Sequence, residues 1–490
     1  MVQGGLLPGM KMIHQKHFRL PALFIILSLL CSLAACGQAP VDASSTSEST
    51  AATAPGTKAE TEPSKQVTES SEYHDPTIGI IDDPTIPLVP QSGNVKAGNL
   101  IEGISAEAVE GKAADEVFTA SQYSFAADLL RRSYAADKGN CLVSPLSVML
   151  ALAMTANGAA DETLQQMLNV LGDGMSMDDL NAYLYAYVKS LPSSTLAKLA
   201  IANSIWLNDK ENFSVRNDFL KKDVSWYQAD VYKTPFTDAA VKEINGWVSK
   251  HTDDMIQQII NQLNDEDRLL LLNAICFDAK WASPYDPNYS VHEQPFTRAD
   301  DSTQTVSMMF SQEHEYYKGE NYTGFAKDYD GYSYKFVAIL PDQGTTLDQF
   351  LADLDGERLS DILNAPIGTK VNAGLPKFSY EYSTSLKDRL QEMGIVNAFV
   401  SDPYDPDFAD FSLLSDTNPL YISDVIHKTF IDVEEGGTRA AAVTAVIVAE
   451  ATAMPVEPPK QVILDRPFLY MIVDNESKLP IFIGTVNSID

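Results

Sequence analysis

Histidine, cysteine and basic side chains are scarce in this chain of 490 residues. It has 7 histidines and 4 cysteines, and its 35 lysines and arginines are outnumbered by 67 aspartates and glutamates, so the formal net charge is −32. A surface with this charge repels nucleic-acid phosphates, and the sequence therefore predicts no nucleic-acid partner. An acidic surface instead favours solubility and attracts cationic proteins.

The sequence signatures of common enzymes and metal sites are also absent. The chain has no Gly-x-Ser-x-Gly elbow, no His-Glu-x-x-His motif, no Gly-x-x-x-x-Gly-Lys phosphate loop and no Cys-x-x-Cys pair. No two of the histidines after residue 36 are spaced as metal ligands. His427 lies in a strand-like segment, where a buried and hydrogen-bonded histidine is the ordinary interpretation. We therefore predict no cofactor, no metal and no catalytic residue.

Residues 1–35 are typical of an export signal. A basic start precedes an apolar run from Leu20 to Leu33, which is too short to span a membrane comfortably. The run ends in Leu33-Ala34-Ala35-Cys36, which resembles the bacterial lipobox, and the resemblance implies that Cys36 is lipidated and begins the mature chain. We expect an extracellular protein that is held at the cell surface only through this lipid. An ordinary signal peptide with a chance cysteine is the alternative.

The composition then changes along the chain. Residues 36–112 are rich in Ser, Thr, Ala, Pro and Glu and lack apolar periodicity, which predicts a disordered tether after the lipidated cysteine. Residues 113–490 have the pattern of a folded domain. Its two cysteines, Cys141 and Cys276, lie in apolar surroundings, which favours buried free thiols and leaves a disulfide between them open.

Helix signals are concentrated early in this domain and strand signals late. Ser144 followed by Pro145 predicts a capped helix start, Asp161 predicts another cap, and a first helix is expected near 121–134. Strand-like runs follow at 199–207, 269–277, 336–340, 370–382, 422–433 and 469–473. Because no regular βαβ alternation is present, this order predicts an α+β fold.

An unusual stretch covers residues 434–459. It starts with two acids and two glycines, continues with small and then β-branched residues, and ends rich in proline. If Thr438 faces the core of a sheet, the alternate residues that follow also face it and all of them are small, while Arg439 faces outward. A strand here could therefore enter a packed sheet without overfilling its core. A plain buried strand, or a helix through the alanines, is the alternative.

Residues 434–444 resemble the hinge of the serpin family, whose typical form is Glu-Glu-Gly-Thr-x-Ala-Ala-Ala-x-Thr. The chain departs from it at Gly436, which stands where the second acid is usual. Other family-like strings occur in order at Asn140–Ser147, Ala202–Leu207, Leu272–Trp281, Leu375–Phe378, Ile426–Lys428, Arg466–Phe468 and Phe482–Gly484. The resemblance implies the serpin fold, in which mostly N-terminal helices pack on a large central mixed β-sheet with smaller sheets. An exposed reactive-centre loop is then expected at about 434–459.

The resemblance also implies roles for individual residues. The hinge, which enters the central sheet, comprises Glu435, Gly436, Gly437, Thr438, Ala440, Ala441, Ala442 and Thr444. The shutter and the breach, where the sheet opens, comprise Ser144, Ser147, Asn203, His427 and Trp281.

A monomeric inhibitor of serine proteases is the function that the resemblance implies. The protease attacks the loop, forms an acyl-enzyme, and is trapped when the cleaved loop inserts into the central sheet. Counting Thr438 as the fourteenth residue before the scissile bond places the cut between Ala451 and Thr452. A small residue before the cut suits an elastase-like or subtilisin-like protease, and a cysteine protease is a second possible target. Other candidate residues before the cut are Ala449, Ala453 and Met454.

Two other functions fit parts of the sequence. A serpin that acts as a binding protein, without inhibiting, would be expected to carry bulky, charged or proline residues in its hinge. A lipid-anchored solute-binding protein would suit the lipobox and the tether. It would also require a series of βαβ units, which the sequence does not predict.

Overall fold

The computed structural model describes residues 98–209, 214–416, 419–439 and 458–489. The described helices are α1 (Glu116–Asp137), α2 (Pro145–Ala156), α3 (Asp161–Gly172), α4 (Met177–Ser190), α5 (Asn217–Tyr227), α6 (Asp238–His251), α7 (Leu347–Ala352), α8 (Gly356–Asn364) and α9 (Lys387–Met393), with a 3-10 turn at Asn397–Phe399. None of these helices is long and apolar enough to cross a membrane.

The strands form two sheets within the described ranges. The strands are β1 (Gly98–Asn99), β2 (Cys141–Val143), β3 (Ala197–Asn208), β4 (Asp230–Thr234), β5 (Leu269–Lys280), β6 (Val291–Thr297), β7 (Thr303–Lys318), β8 (Tyr322–Asp328), β9 (Tyr334–Pro341), β10 (Ile367–Pro376), β11 (Phe378–Ser385), β12 (Ile422–Glu434), β13 (Gly437–Thr438), β14 (Lys460–Ile463), β15 (Phe468–Asp474) and β16 (Pro480–Val486). The main sheet has the order β1-β4-β3-β5-β13-β12-β11. The second sheet has the order β14-β10-β7-β8-β9-β15-β16-β2, with β6 paired to β7.

Both kinds of strand pairing occur in the main sheet, and helices pack beside it. β3 is parallel to β4 and β5 is parallel to β12, while the other neighbouring strands of this sheet are antiparallel. The predicted α+β class is therefore confirmed. The early run of helices, α1 to α4, precedes most of the strands, as the sequence indicates.

The observed helix starts agree only in part with the capping residues predicted from the sequence. The hydroxyl of Ser144 accepts a hydrogen bond from the backbone N–H of Ser147 at 3.4 Å, and Pro145 is the first residue of α2, as predicted. The prediction for Asp161 is wrong, because Ala160 occupies the cap position and Asp161 is already helical. α1 also begins earlier than predicted, because Asp115 caps it.

Helix α2 is buried along its whole length because it lies between the two sheets. At its start, the Ser144 hydroxyl donates to the carbonyl oxygen of Ile481 in β16, at 2.8 Å. The Ser147 hydroxyl donates to Oδ1 of Asn203 in β3, at 3.3 Å. The first turn of α2 therefore connects the second sheet to the main sheet.

Helix α6 covers the opposite face of the main sheet. Its buried side chains Ile244, Trp247 and Val248 belong to a second apolar cluster that includes Leu272 and Cys276 of β5. The direct contacts of α6 are with the edge half of the sheet, where Trp247 packs against Tyr232 of β4 and donates its indole N–H to Asp230, and the same apolar cluster extends across the sheet to Ile426 of β12.

The last part of the predicted tether belongs to the folded domain. β1 pairs with β4 at the edge of the main sheet, and the N–H of Leu100 donates to the carbonyl oxygen of Val231 at 2.8 Å. Further on, the N–H of Lys112 donates to the carbonyl oxygen of Ala182 at 3.0 Å. The boundary predicted at residue 112 therefore needs correction for residues 98–112, because these residues contact the domain. Residues 1–97 lie outside the described ranges.

The two cysteines of the domain are free and buried. Cys141 belongs to β2 and Cys276 to β5, which confirms the interpretation as buried thiols. Burial raises the pKa of each thiol to about 12. Both therefore stay protonated at neutral pH.

We expect neither Cys141 nor Cys276 to react with iodoacetamide in the native protein at about pH 8, because each thiol is inaccessible and protonated. After denaturation both should be alkylated. Pulsed labelling followed by peptide mass spectrometry follows each site separately. Rapid labelling of either cysteine in the native protein would contradict the observed burial.

Candidate functional site

The seam between β5 and β12 is closed over part of its length and open beyond it. The two strands pair in parallel as far as Ile275 and Thr429. Beyond that point the short strand β13 lies between them and is antiparallel to both. Thr438 of β13 is opposite Ala279 of β5 and Val433 of β12. The start of the predicted hinge is therefore already a strand of the main sheet.

Gly437 is the residue that allows this close approach. A Cβ atom at this position would lie 2.1 Å from the carbonyl oxygen of Ala279 and 2.7 Å from Cα of Lys280. Backbone atoms cannot yield as a flexible side chain can, so only glycine fits here.

The backbone that leads into β13 is bound at the end of β5. Trp281 donates its backbone N–H to the carbonyl oxygen of Gly436 at 3.0 Å and its indole Nε1–H to that of Glu434 at 2.9 Å. The backbone N–H of Tyr285 donates to the carbonyl oxygen of Glu435 at 3.0 Å. Consecutive carbonyl groups of the chain are thus satisfied, and the hinge enters the sheet at a fixed point.

Side chains of the hinge are held in the same place. Thr438 is 1% exposed, and its hydroxyl oxygen lies 2.6 Å from the hydroxyl oxygen of Tyr329. The Tyr329 ring stacks on Trp281 with a centroid distance of 4.5 Å. The carboxylate of Glu435 is 2.7 Å from Nζ of Lys377. Trp281 touches the predicted hinge through its backbone, its indole N–H and its stacking partner, and its assignment to the breach stays a prediction.

A buried ion pair lies beside these aromatic rings. Nζ of Lys327 is 2.8 Å from Oε1 of Glu313 and 4.4 Å from the centroid of the Tyr285 ring. Lys327 is 1% exposed, so its charge needs these partners. Sequence reasoning missed Lys327 and Tyr329. A lysine inside the strand Tyr322–Asp328, whose central residues are buried, was the available signal.

The residues predicted to form the shutter lie where α2 meets the closed part of the seam. Nδ2 of Asn273, in β5, donates to the Ser147 hydroxyl at 2.5 Å and to Oδ1 of Asn203 at 2.6 Å. Oδ1 of Asn273 accepts a hydrogen bond from Nδ1 of His427, in β12. The network therefore joins α2, β3, β5 and β12, and it holds the seam closed.

Sequence analysis assigned no role to Asn273. Its signal was an amide in the middle of the apolar strand at 269–277, because a buried amide needs hydrogen-bond partners. The partners come from three other elements of the fold, which the sequence alone does not place together.

The structure brings the predicted site residues together in two groups and leaves some untested. Glu435, Gly436, Gly437 and Thr438 meet Trp281 at the open end of the seam. The residues grouped at its closed part are Ser144, Ser147, Asn203 and His427. The predicted residues outside the described ranges are Cys36, Ala440, Ala441, Ala442, Thr444, Ala451 and Thr452. No cluster of metal-ligating side chains occurs among the described residues.

The comparison with family models gives one match that covers most of this region. A family model described as "Serpin (serine protease inhibitor)" matches residues 120–489. The chain belongs to the serpin family. The fold implied by the sequence resemblance is confirmed with it.

Proteins similar to this serpin include a leukocyte elastase inhibitor and a thyroxine-binding globulin. The structure of the thermophilic serpin tengpin in its native state is 45% identical, with a TM-score of 0.76, and covers 81% of this chain and 100% of that one. Leukocyte elastase inhibitor of Xenopus tropicalis is 31% identical over 71% of this chain and 93% of that protein. A thyroxine-binding globulin complex with thyroxine is 26% identical, with a TM-score of 0.66, and covers 76% of this chain and 99% of that one.

Hydrogen bonds fix the protonation state of the shutter histidine of this serpin. Nε2 of His427 accepts the backbone N–H of Ser144 at 3.2 Å, so the proton must be on Nδ1, which faces Oδ1 of Asn273. This is the neutral tautomer. Burial lowers the pKa of His427 to about 3, from an ordinary value of 6.5. A second proton would have to displace the Ser144 N–H from Nε2.

We expect the serpin to lose stability on acidification because of His427. The unfolded state binds a proton at this residue below about pH 6.5 and the folded state only near pH 3, so stability falls as the pH drops between these values. The slope from this group approaches about 1.4 kcal/mol per pH unit. Denaturant unfolding of the wild type and of His427→Gln, measured across this range, should show a smaller slope in the variant.

The exposed His292 offers a matched control. His292→Gln removes an imidazole from outside the buried network and is the control for the loss of a histidine as such. Equal slopes for the wild type and His427→Gln would show that the shutter histidine does not titrate as described.

Proposed function

We propose that this serpin is a suicide-substrate inhibitor of serine proteases, and that its cleaved loop inserts between β5 and β12. The observation that carries the proposal is Thr438, which is already buried between these strands and paired with both. Insertion then extends a strand that is already paired on both sides.

The register of β13 predicts where later residues of the loop would lie after insertion. Thr438 is opposite Ala279, and each step forward along the loop moves one step back along β5 and β12. Thr444 would then lie opposite Asn273 and His427, on the face that carries the shutter. The entering strand would separate the Asn273–His427 hydrogen bond, and a small side chain with a hydroxyl group suits that position. The small alanines before it avoid overfilling the core.

Insertion adds backbone pairing on both sides of one strand. Roughly 14 residues could enter, each spanning about 3.3 Å. With about 0.5–1.5 kcal/mol net for each hydrogen bond, the gross gain is on the order of 10 kcal/mol. A gain of this size can hold a distorted acyl-enzyme.

An elastase-like or subtilisin-like protease is the target that we propose, with a cysteine protease as a second class. The proposal rests on Ala451, which stands before the scissile bond if the cut falls between Ala451 and Thr452. The similarity to a leukocyte elastase inhibitor supports the same class.

We further propose a monomer that is anchored outside the cell by lipidated Cys36. The support is the lipobox-like sequence 33–36 and the polar composition that follows it. The acidic charge of the chain suits a cationic protease partner.

A serpin that binds a ligand without inhibiting is the second candidate. The similarity to thyroxine-binding globulin favours it. Nicking the loop distinguishes the two candidates, because an inserting serpin gains stability on cleavage and a serpin that cannot insert does not.

We expect a covalent complex with an elastase-like protease that survives denaturing electrophoresis, and we expect Thr438→Arg to reduce its yield strongly. An arginine cannot be buried beside Tyr329 at a position that is 1% exposed, so the loop would be cleaved without being inserted. Complex yield should fall by about tenfold or more, which corresponds to ~1.4 kcal/mol against insertion. Thr438→Ser keeps the hydroxyl and should keep the complex. A complex of undiminished yield with Thr438→Arg would rule out this path of insertion.

Ala451→Arg should redirect the inhibitor to trypsin-like proteases, because an arginine before the cut fills their specificity pocket. Mass spectrometry of the peptide released by the protease should identify Thr452 as its first residue. Ala449→Arg is the matched control and should not produce a trypsin complex. A released peptide with another first residue would move the scissile bond.

A further inference from the structure

Arg439 directly follows the last residue of β13, and its backbone already forms one hydrogen bond to β12. Its backbone N–H donates to the carbonyl oxygen of Asp432 at 2.7 Å. Its φ is 53°, in the left-handed region that is unfavourable for a residue with a Cβ atom. Further insertion requires this residue to become extended, which also relieves the unfavourable conformation.

The side chain of Arg439 is close to a carboxylate and incompletely satisfied. Its Nη1 is buried and has no hydrogen-bond partner among the residues that the structure describes. Burial raises the pKa of Asp278, and the nearby Arg439 opposes that rise, so the guanidinium is within electrostatic reach of this carboxyl group. Arg439 therefore has a buried N–H group without a described partner and an acidic group within electrostatic reach.

The register of β13 places a second carboxylate on the other side. Extending the strand by one residue puts position 439 opposite Asp278 in β5 and Asp432 in β12. Side chains directly opposite one another on antiparallel strands share a face, with Cβ atoms about 4.5–5.5 Å apart. On the far side of Asp278, Lys198 of β3 is its cross-strand partner. An extended Arg439 would complete a row of alternating charge across four strands.

We propose that Asp278 and Asp432 form an acidic pair that receives Arg439 as insertion starts, and that this contact sets the register of the entering strand. A slip by one residue would turn Arg439 toward the core and leave the two carboxylates facing Ala440 or Thr438, neither of which carries a charge. The inference rests on the proposed insertion of the loop, and it makes Arg439 a positioning residue.

The test compares Arg439→Ser with the conservative Arg439→Lys and with Lys222→Ser, which removes the same charge from an exposed site on α5. The first readout is the number of inhibitor molecules consumed for each molecule of elastase trapped. The second readout is the concentration of guanidinium chloride at the midpoint of unfolding, measured before and after the loop is nicked with thermolysin. Arg439→Ser should raise the first severalfold and should lower the midpoint of the nicked form more than that of the intact form. Arg439→Lys keeps the charge and should leave the inhibitor consumption and the unfolding midpoints near those of the wild type. Lys222→Ser should change neither quantity.

A charge exchange tests the partners directly. Arg439→Asp should impair trapping more than Arg439→Ser, and adding Asp278→Arg should recover part of the loss. Absence of any effect from Arg439→Ser and Arg439→Asp, while the nicked wild type is stabilised, would overturn the acidic-pair proposal alone. A nicked wild type that is no more stable than the intact protein would instead overturn the proposed function.

Discussion

The strands β5 and β12 run parallel and are hydrogen-bonded over 269–275 and 422–429, yet two residues of the loop separate them beyond that point. This partly opened seam is the constraint on which the rest of the structure depends. α2 supports its closed part from one face, the apolar cluster that contains α6 packs on the other face of the sheet, and Trp281 binds the chain that enters its open end. These contacts together determine how far the main sheet is open. The position of Thr438 therefore depends on several elements of the domain.

The two ends of the seam are held by different chemistry. At the closed part, neutral amide, hydroxyl and imidazole groups exchange hydrogen bonds in a buried network. Neutral groups of this kind can exchange hydrogen-bond partners with an entering strand, and no buried charge is left unpaired. At the open end, aromatic stacking and carbonyl hydrogen bonds hold the hinge, and the buried charge of Lys327 is already paired with Glu313. The seam can therefore open without exposing an unpaired ion to the core.

Much of the fold and part of the site were predictable because local patterns report them. The strand-like runs identified β3 and β5, which are buried over most of their length, and β12, in which buried and half-buried residues alternate; Ser144 with Pro145 identified the start of α2. β6, β7 and the segment at 98–112 were missed, since their exposed and buried residues are mixed and their pairing partners are distant in sequence. The hinge was predictable from composition and family resemblance. Asn273 and Tyr329 were not assigned, because their roles arise from partners on other elements.

Trp281 has a physical consequence beyond its structural role. Its indole N–H is bonded to the carbonyl oxygen of Glu434, and its ring lies against Tyr329, whose hydroxyl touches Thr438. The chain contains four tryptophans, and in the described contacts only this one binds the hinge directly. Its emission spectrum should respond to any rearrangement of these few residues, so the molecule contains its own optical reporter of the state of its loop.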